Sequence, residues 1–125
     1  MTTFFHGAHT SYTLHEGQCY TDDIAVALRY CAGGRNGRVA RVDIDLSGLV
    51  VEECEGYDHD ENDCPADCED FRAAAAARGV DVLRYEDEDD TGRRHDCYRL
   101  VSPKALAAVT VKRVLMRDDA DEAWN

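Results

Sequence analysis

The chain has 125 residues and a net charge of −12, from 14 basic and 26 acidic side chains. That length suits one domain, and the apolar fraction of 44% is enough for a single packed core and too high for a disordered chain. A general binder of phosphate backbones is excluded as a first reading, because Coulomb repulsion would oppose it.

The charge is concentrated. Residues 52–70 hold 10 acidic side chains and no Lys or Arg, and Glu86-Asp87-Glu88-Asp89-Asp90 adds five more. The rest of the chain carries 11 acidic against 14 basic side chains, so two segments make the acidity. No apolar run approaches a membrane span. The first residues, Met1-Thr2-Thr3-Phe4-Phe5-His6, lack the basic region and apolar stretch of a secretory signal. The six cysteines are accordingly expected as reduced thiols in a cytoplasm, that of the producer or of a host cell.

In chain order, a first strand is expected over Thr3–His6, then a loop from Gly7 to Gln18 and a short extended piece at Cys19-Tyr20-Thr21. Thr21 or Asp22 would cap a helix whose apolar residues Ile24, Ala25, Leu28 and Cys31 recur at helical spacing. Gly33-Gly34 would end it, and Asn36-Gly37 is a turn signal. Arg38–Leu46 is the clearest strand. Its Ala40, Val42, Ile44 and Leu46 alternate with Val39, Arg41, Asp43 and Asp45, so one face packs and the other is mostly wet. Leu49-Val50-Val51 reads as a second short strand, and the acidic segment as a surface loop.

Pro65 suits a first helical turn, with Asp67, Glu69 and Asp70 near the positive end of the helix and Gly79 closing it. Strands are expected over Val80–Tyr85, Cys97–Val101 and Val109–Leu115, with a polar loop at residues 86–95 and a helical turn at Ala105-Leu106. The expected organisation is one domain over residues 1–116 with a polar, fraying tail over 117–125. Strands outnumber helices, which argues an α+β fold with a mixed, mostly antiparallel sheet.

The order of pieces in the first third carries the functional reading. His6-Gly7 ends a strand, Gly17-Gln18-Cys19-Tyr20-Thr21-Asp22 follows a loop, and Ala27-Leu28-Arg29-Tyr30-Cys31 lies on a helix before a strand containing Val42-Asp43-Ile44. This ordered set resembles the His-Tyr-Glu branch of the ADP-ribosyltransferase superfamily, the branch of poly(ADP-ribose) polymerases and diphtheria-like toxins. The motifs cover residues 4–46, and the remainder matches by element order. Cys19 stands where the family has its first Tyr, and Tyr20 where it has Phe.

The resemblance implies a compact split-sheet fold and NAD as a substrate. His6 would bond the adenosine ribose, and Gly7 would let the backbone approach the nicotinamide amide. Tyr30 would stack on the nicotinamide ring, with Tyr20 as the opposite wall. Thr21 matches the family's small residue. The family's late-strand carboxylate would be Asp96, in His95-Asp96-Cys97-Tyr98-Arg99-Leu100, with Glu86 or Glu88 as alternatives. Breaking the nicotinamide–ribose bond builds positive charge on the sugar, which a carboxylate stabilises. The implied activity is mono-ADP-ribosyl transfer to a protein partner with a basic surface, in preference to a nucleic acid, as in small bacterial toxins and phage effectors. The alternative is a non-catalytic acidic protein that blocks a basic surface by mimicking nucleic acid.

No metal is assigned from the sequence, though two donor sets stand out. Cys54, His59, Cys64 and Cys68 are zinc-type donors, and Asp58, Asp60, Asn62 and Glu69 fall at calcium-loop positions. Asp63 replaces the glycine that the calcium loop requires, and Pro65 interrupts it.

Overall fold

The structure is a computed structural model that describes residues 1–31, 36–56, 64–88 and 92–125. The expected helix stop at Gly33-Gly34, and Asp58, His59, Asp60 and Asn62 of the two donor sets, lie outside the described residues. The fold is α+β. Seven strands form one sheet in the order β4-β5-β6-β2-β1-β3-β7, where β1 is Thr2–Ala8, β2 Cys19–Thr21, β3 Arg38–Ile44, β4 Val51–Glu53, β5 Val82–Glu88, β6 Arg94–Leu100 and β7 Val109–Met116. Among the described residues four short helices accompany them: α1 (Ile24–Tyr30), α2 (Glu69–Ala77), α3 (Pro103–Ala107) and α4 (Arg117–Trp124). Among the described residues only β4–β5 is parallel, and the other strand pairings are antiparallel.

Strand alternation divides the buried side chains between two faces. Phe4, Tyr20, Ala40, Val42, Ile44, Val82 and Leu100 pack together with Ala105 of α3 and form the core face. The opposite face is covered in two separate places. Near β1 and β3 it is roofed by α1 and α4, through Ala27, Leu28, Cys31 and Ala120 on Val39, with Phe5 and Trp124 beside them. Near β5 and β6 it is roofed by α2 and the turn before it, through Ala66 and Ala75 on Leu83, Tyr85 and Cys97. The joint between the two halves is narrow, since β1 and β2 meet at the single register pair Phe5–Thr21.

Several local expectations change. The helix cap is Asp23, whose side chain accepts from the Ala25 N–H; Thr21 instead accepts from the Asp23 N–H. The second face of β3 is mostly wet, with Arg41 and Asp45 exposed and Asp43 half-buried, and Val39 is the departure from it, fully buried under α1 and α4. Pro65 opens only a 3-10 turn, Pro65–Asp67, and α2 begins at Glu69 after an extended Cys68. Residues 86–88 and 94–95 are strand rather than loop, paired as Glu86–Asp96, Asp87–His95 and Glu88–Arg94. The segment expected to fray is α4, held by Ala120 and by Trp124, whose ring lies 5.8 Å from that of Phe5.

Candidate functional site

Between the two roofs the sheet is open, and a cleft of about 250 Å³ lies there. Three elements bring residues to it: β1 supplies Phe5, His6 and Gly7, β2 supplies Cys19, Tyr20 and Thr21, and α1 supplies Tyr30. The far wall comes from β5 and β6, with Tyr85, Asp87, Cys97 and Arg99, and from Asp67. The residues His6, Gly7, Tyr20, Thr21 and Tyr30, read from the sequence as a nucleotide-binding set, thus line one cavity.

Each has a local reason for its position. Gly7 is required by the close passage of α1, because a Cβ there would stand 2.0 Å from the Ala27 carbonyl oxygen and 3.1 Å from the Tyr30 Cβ. His6 Nδ1 lies 2.7 Å from the Cys19 carbonyl oxygen. A carbonyl only accepts, so Nδ1 carries the hydrogen and a neutral ring leaves Nε2 as an acceptor. Burial lowers the His6 pKa, which favours that neutral form at physiological pH. Tyr20 belongs to the core face, fully buried; its hydroxyl donates to Gln18 Oε1 at 2.7 Å and is also bonded to the Tyr12 hydroxyl. Burial raises its pKa. Tyr30, at the end of α1, is 54% exposed and so presents an accessible ring.

The far wall is a polar cluster that the sequence reading did not single out. Arg99 donates to the Gly17 carbonyl at 3.1 Å and to the Tyr85 hydroxyl at 3.1 and 3.2 Å, and it pairs with Asp67. Those contacts fix the guanidinium at the cavity. Cys19 Sγ lies 3.4 Å from the Tyr85 hydroxyl. The Cys19 thiol is made more acidic by its hydrogen bond with Cys97 and by the Arg99 cation, whereas Cys97 is made less acidic by the same bond and by burial. Cys97 Sγ donates to Asp87 Oδ2 at 3.6 Å. All six cysteines are free thiols.

Asp96 stands apart from this set. Its neighbours Cys97 and His95 alternate with it along β6, and Asp96 shares the face of its register partner Glu86 and of Tyr98. Its carboxylate accepts from Arg84 Nη2 at 3.0 Å, and it is absent from the cleft lining. Glu86 shares the Asp96 face and accepts from Arg94 at 2.8 Å. Glu88, two residues further along β5, is likewise absent from the cleft lining. The late-strand carboxylate presented to the cleft is Asp87. The available signal was strand alternation through residues 82–88, hidden by the acidic composition that made the stretch read as loop.

No family model, curated protein or solved structure matches the chain. Among the described residues no helix is long and apolar enough to cross a membrane.

Proposed function

We propose that the protein is a NAD-dependent mono-ADP-ribosyltransferase acting on a protein partner. The observation that carries this reading is the convergence of His6, Gly7, Thr21 and Tyr30, from three elements, on one cleft, with Tyr20 behind it, its ring buried on the core face and not a wall opposite Tyr30. A cavity of about 250 Å³ takes the nicotinamide-ribose end of the dinucleotide and leaves the rest outside it. The nicotinamide stacks on the Tyr30 ring. His6 Nε2 accepts a hydroxyl hydrogen from ribose, and Arg99 offers a fixed cation to the pyrophosphate.

In the transfer step the bond from ribose C1 to the nicotinamide nitrogen breaks, and nicotinamide leaves neutral with the bonding pair. A nucleophilic side chain of the partner bonds to C1 and releases its proton to solvent. The positive charge that develops on the ribose needs a nearby carboxylate. Asp87 fills that role better than Asp96, since it faces the cleft and Asp96 is paired with Arg84 on the other side. The two acidic segments then serve as a docking surface for a basic target.

The test is incubation with labelled NAD and cell extract, together with calorimetry of NAD binding. Asp87→Asn is expected to reduce label transfer on the order of 100-fold while retaining NAD binding. Tyr30→Ala is expected to abolish binding, and Asp96→Asn to leave transfer within about threefold of the original. Failure of the unaltered protein to bind NAD at millimolar concentration overturns the reading.

A second reading rests on the same position of Asp96. If the cleft lacks a working carboxylate, the protein is a non-catalytic acidic binder that covers a basic, nucleic-acid-binding surface. It then inhibits its partner without labelling it, and it does so equally in the Tyr30→Ala and Asp87→Asn variants.

A further inference from the structure

Among the described residues, one buried ring on the β5–β6 hairpin has no hydrogen-bond partner at either nitrogen. His95 is 6% exposed, and both its ring nitrogens, Nδ1 and Nε2, are buried without a partner. An imidazole in that state forfeits on the order of 1–3 kcal/mol unless something satisfies it. Its register partner on β5 is Asp87, and Cys97 follows two residues later on the same face. One donor atom from each of Asp87, His95 and Cys97 lies within 4.8 Å of the other two.

We propose that Asp87, His95 and Cys97 bind a zinc-class divalent transition metal ion. The donors are one carboxylate oxygen, one imidazole nitrogen and one thiolate sulfur. That mixture suits zinc and its neighbours, and it does not suit calcium or magnesium, which take oxygen ligands. The spacing is close to what is needed. Bonds of about 2.0–2.3 Å in tetrahedral geometry place ligand atoms roughly 3.3–3.8 Å apart. The Cys97–Asp87 edge is already 3.6 Å, so a cation is enclosed by side-chain shifts of about 1 Å or less.

Binding replaces the Cys97 S–H proton with the metal, and that proton goes to solvent. The present bond from Cys97 to Asp87 is lost, and the metal takes its place. His95 gains the partner it lacks. Three protein ligands leave the fourth position for water, as in sites that do chemistry rather than only hold a fold. Asp87 and Cys97 also line the cleft, and His95 lines a neighbouring opening with Asp22, Asp23 and Arg94. The inference does not depend on NAD. A metal held by Asp87 takes the carboxylate that the transferase reading gives to the ribose, so the two uses exclude each other in any one state, and the test of the metal reads no activity.

The test uses the whole chain, loaded with zinc and freed of excess metal. Zinc X-ray absorption is expected to show one ion per chain with one sulfur and otherwise nitrogen and oxygen scatterers. Three sulfurs would overturn the proposal in favour of the Cys54, His59, Cys64 and Cys68 donors, and no retained zinc would overturn it outright. Cobalt loading supplies a second measurement. A sulfur-to-cobalt charge-transfer band is expected in the unaltered protein and in the Cys54→Ser/Cys68→Ser double variant, and it is expected to vanish in Cys97→Ser. His95→Gln is expected to weaken cobalt binding at least tenfold. A band that survives in Cys97→Ser, or is lost in the double variant, refutes the site. If Cys97→Ser does not fold, the scattering shell of the unaltered protein decides.

Discussion

The two faces of the β5–β6 hairpin differ in how completely their polar groups are satisfied. On the core face Arg84 pairs with Asp96 and Glu53 and lies 5.7 Å from the Tyr98 ring centre, and Arg94 pairs with Glu86. Arg84 Nε is the one unpartnered buried atom there among the described residues. On the cleft face, Arg99 is engaged by Tyr85, Gly17 and Asp67, while His95 a few residues away has both nitrogens unmet. One face is occupied by partly exposed ion pairs, with an opening beside them that Glu86, Arg94 and Asp96 line. The other holds a cavity, two thiols, a fixed cation and an unsatisfied imidazole, which is the composition of a surface that awaits a ligand.

The largest expected effect tests the close passage of α1 over β1 at the cleft. Gly7→Ala pushes a methyl into the Ala27 carbonyl and should lower stability by about 3 kcal/mol, read as a fall in the urea midpoint. Next comes Asp81, just before β5, which is buried and accepts from the Val50 N–H at 2.8 Å and the Ser102 hydroxyl at 2.7 Å. Those bonds hold its carboxyl below the ordinary carboxylate range. A lowered acid contributes stability that is complete above its unfolded pKa and is lost as pH falls through the folded one. Unfolding free energy should therefore decline below about pH 4. Asp81→Asn should remove about 2 kcal/mol near neutrality and flatten that part of the pH profile.

A smaller and opposite effect is expected at His95. Replacing an unpartnered buried imidazole with Leu removes an unmet polar group, so His95→Leu should leave stability unchanged or raise it by about 1 kcal/mol in metal-free buffer. A marked loss there would mean that the imidazole is satisfied in solution. The smallest effect is expected for Asp96→Asn on the ion-paired face. Arg84 and Asp96 are both partly exposed, so the pair should contribute less than about 1 kcal/mol, diminished further by salt in a thermal-melt series.

Much of the architecture was legible because apolar periodicity is a local signal. The alternation through β3, the helical spacing over Ile24–Cys31 and the glycine after the alanine run all mark elements where they occur. The hairpin was legible only in part. Glu86-Asp87-Glu88 has poor strand propensity, and what holds it in the sheet is the partner strand, through pairs such as Glu86–Arg94 and Arg84–Asp96. A reading without the partner sees an acidic loop. It then also loses the alternation that separates Asp96 from Cys97, so the carboxylate was expected one residue away from the face the cleft occupies. The last helix failed for a related reason. Arg117–Trp124 has little apolar content, and Ala120 with Trp124 forms a stripe too narrow to announce a buried face.

The contact between that helix and the first strand bears on how unfolding is observed. Trp124 is the chain's one tryptophan and sits on Phe5 through α4. Tryptophan fluorescence therefore follows the docking of a single eight-residue helix, and ellipticity follows the whole sheet. Because a short helix on an open face detaches more readily than a central strand, the optical transition should precede the ellipticity transition. The gap between the two curves then measures how loosely α4 is fastened, without any added label.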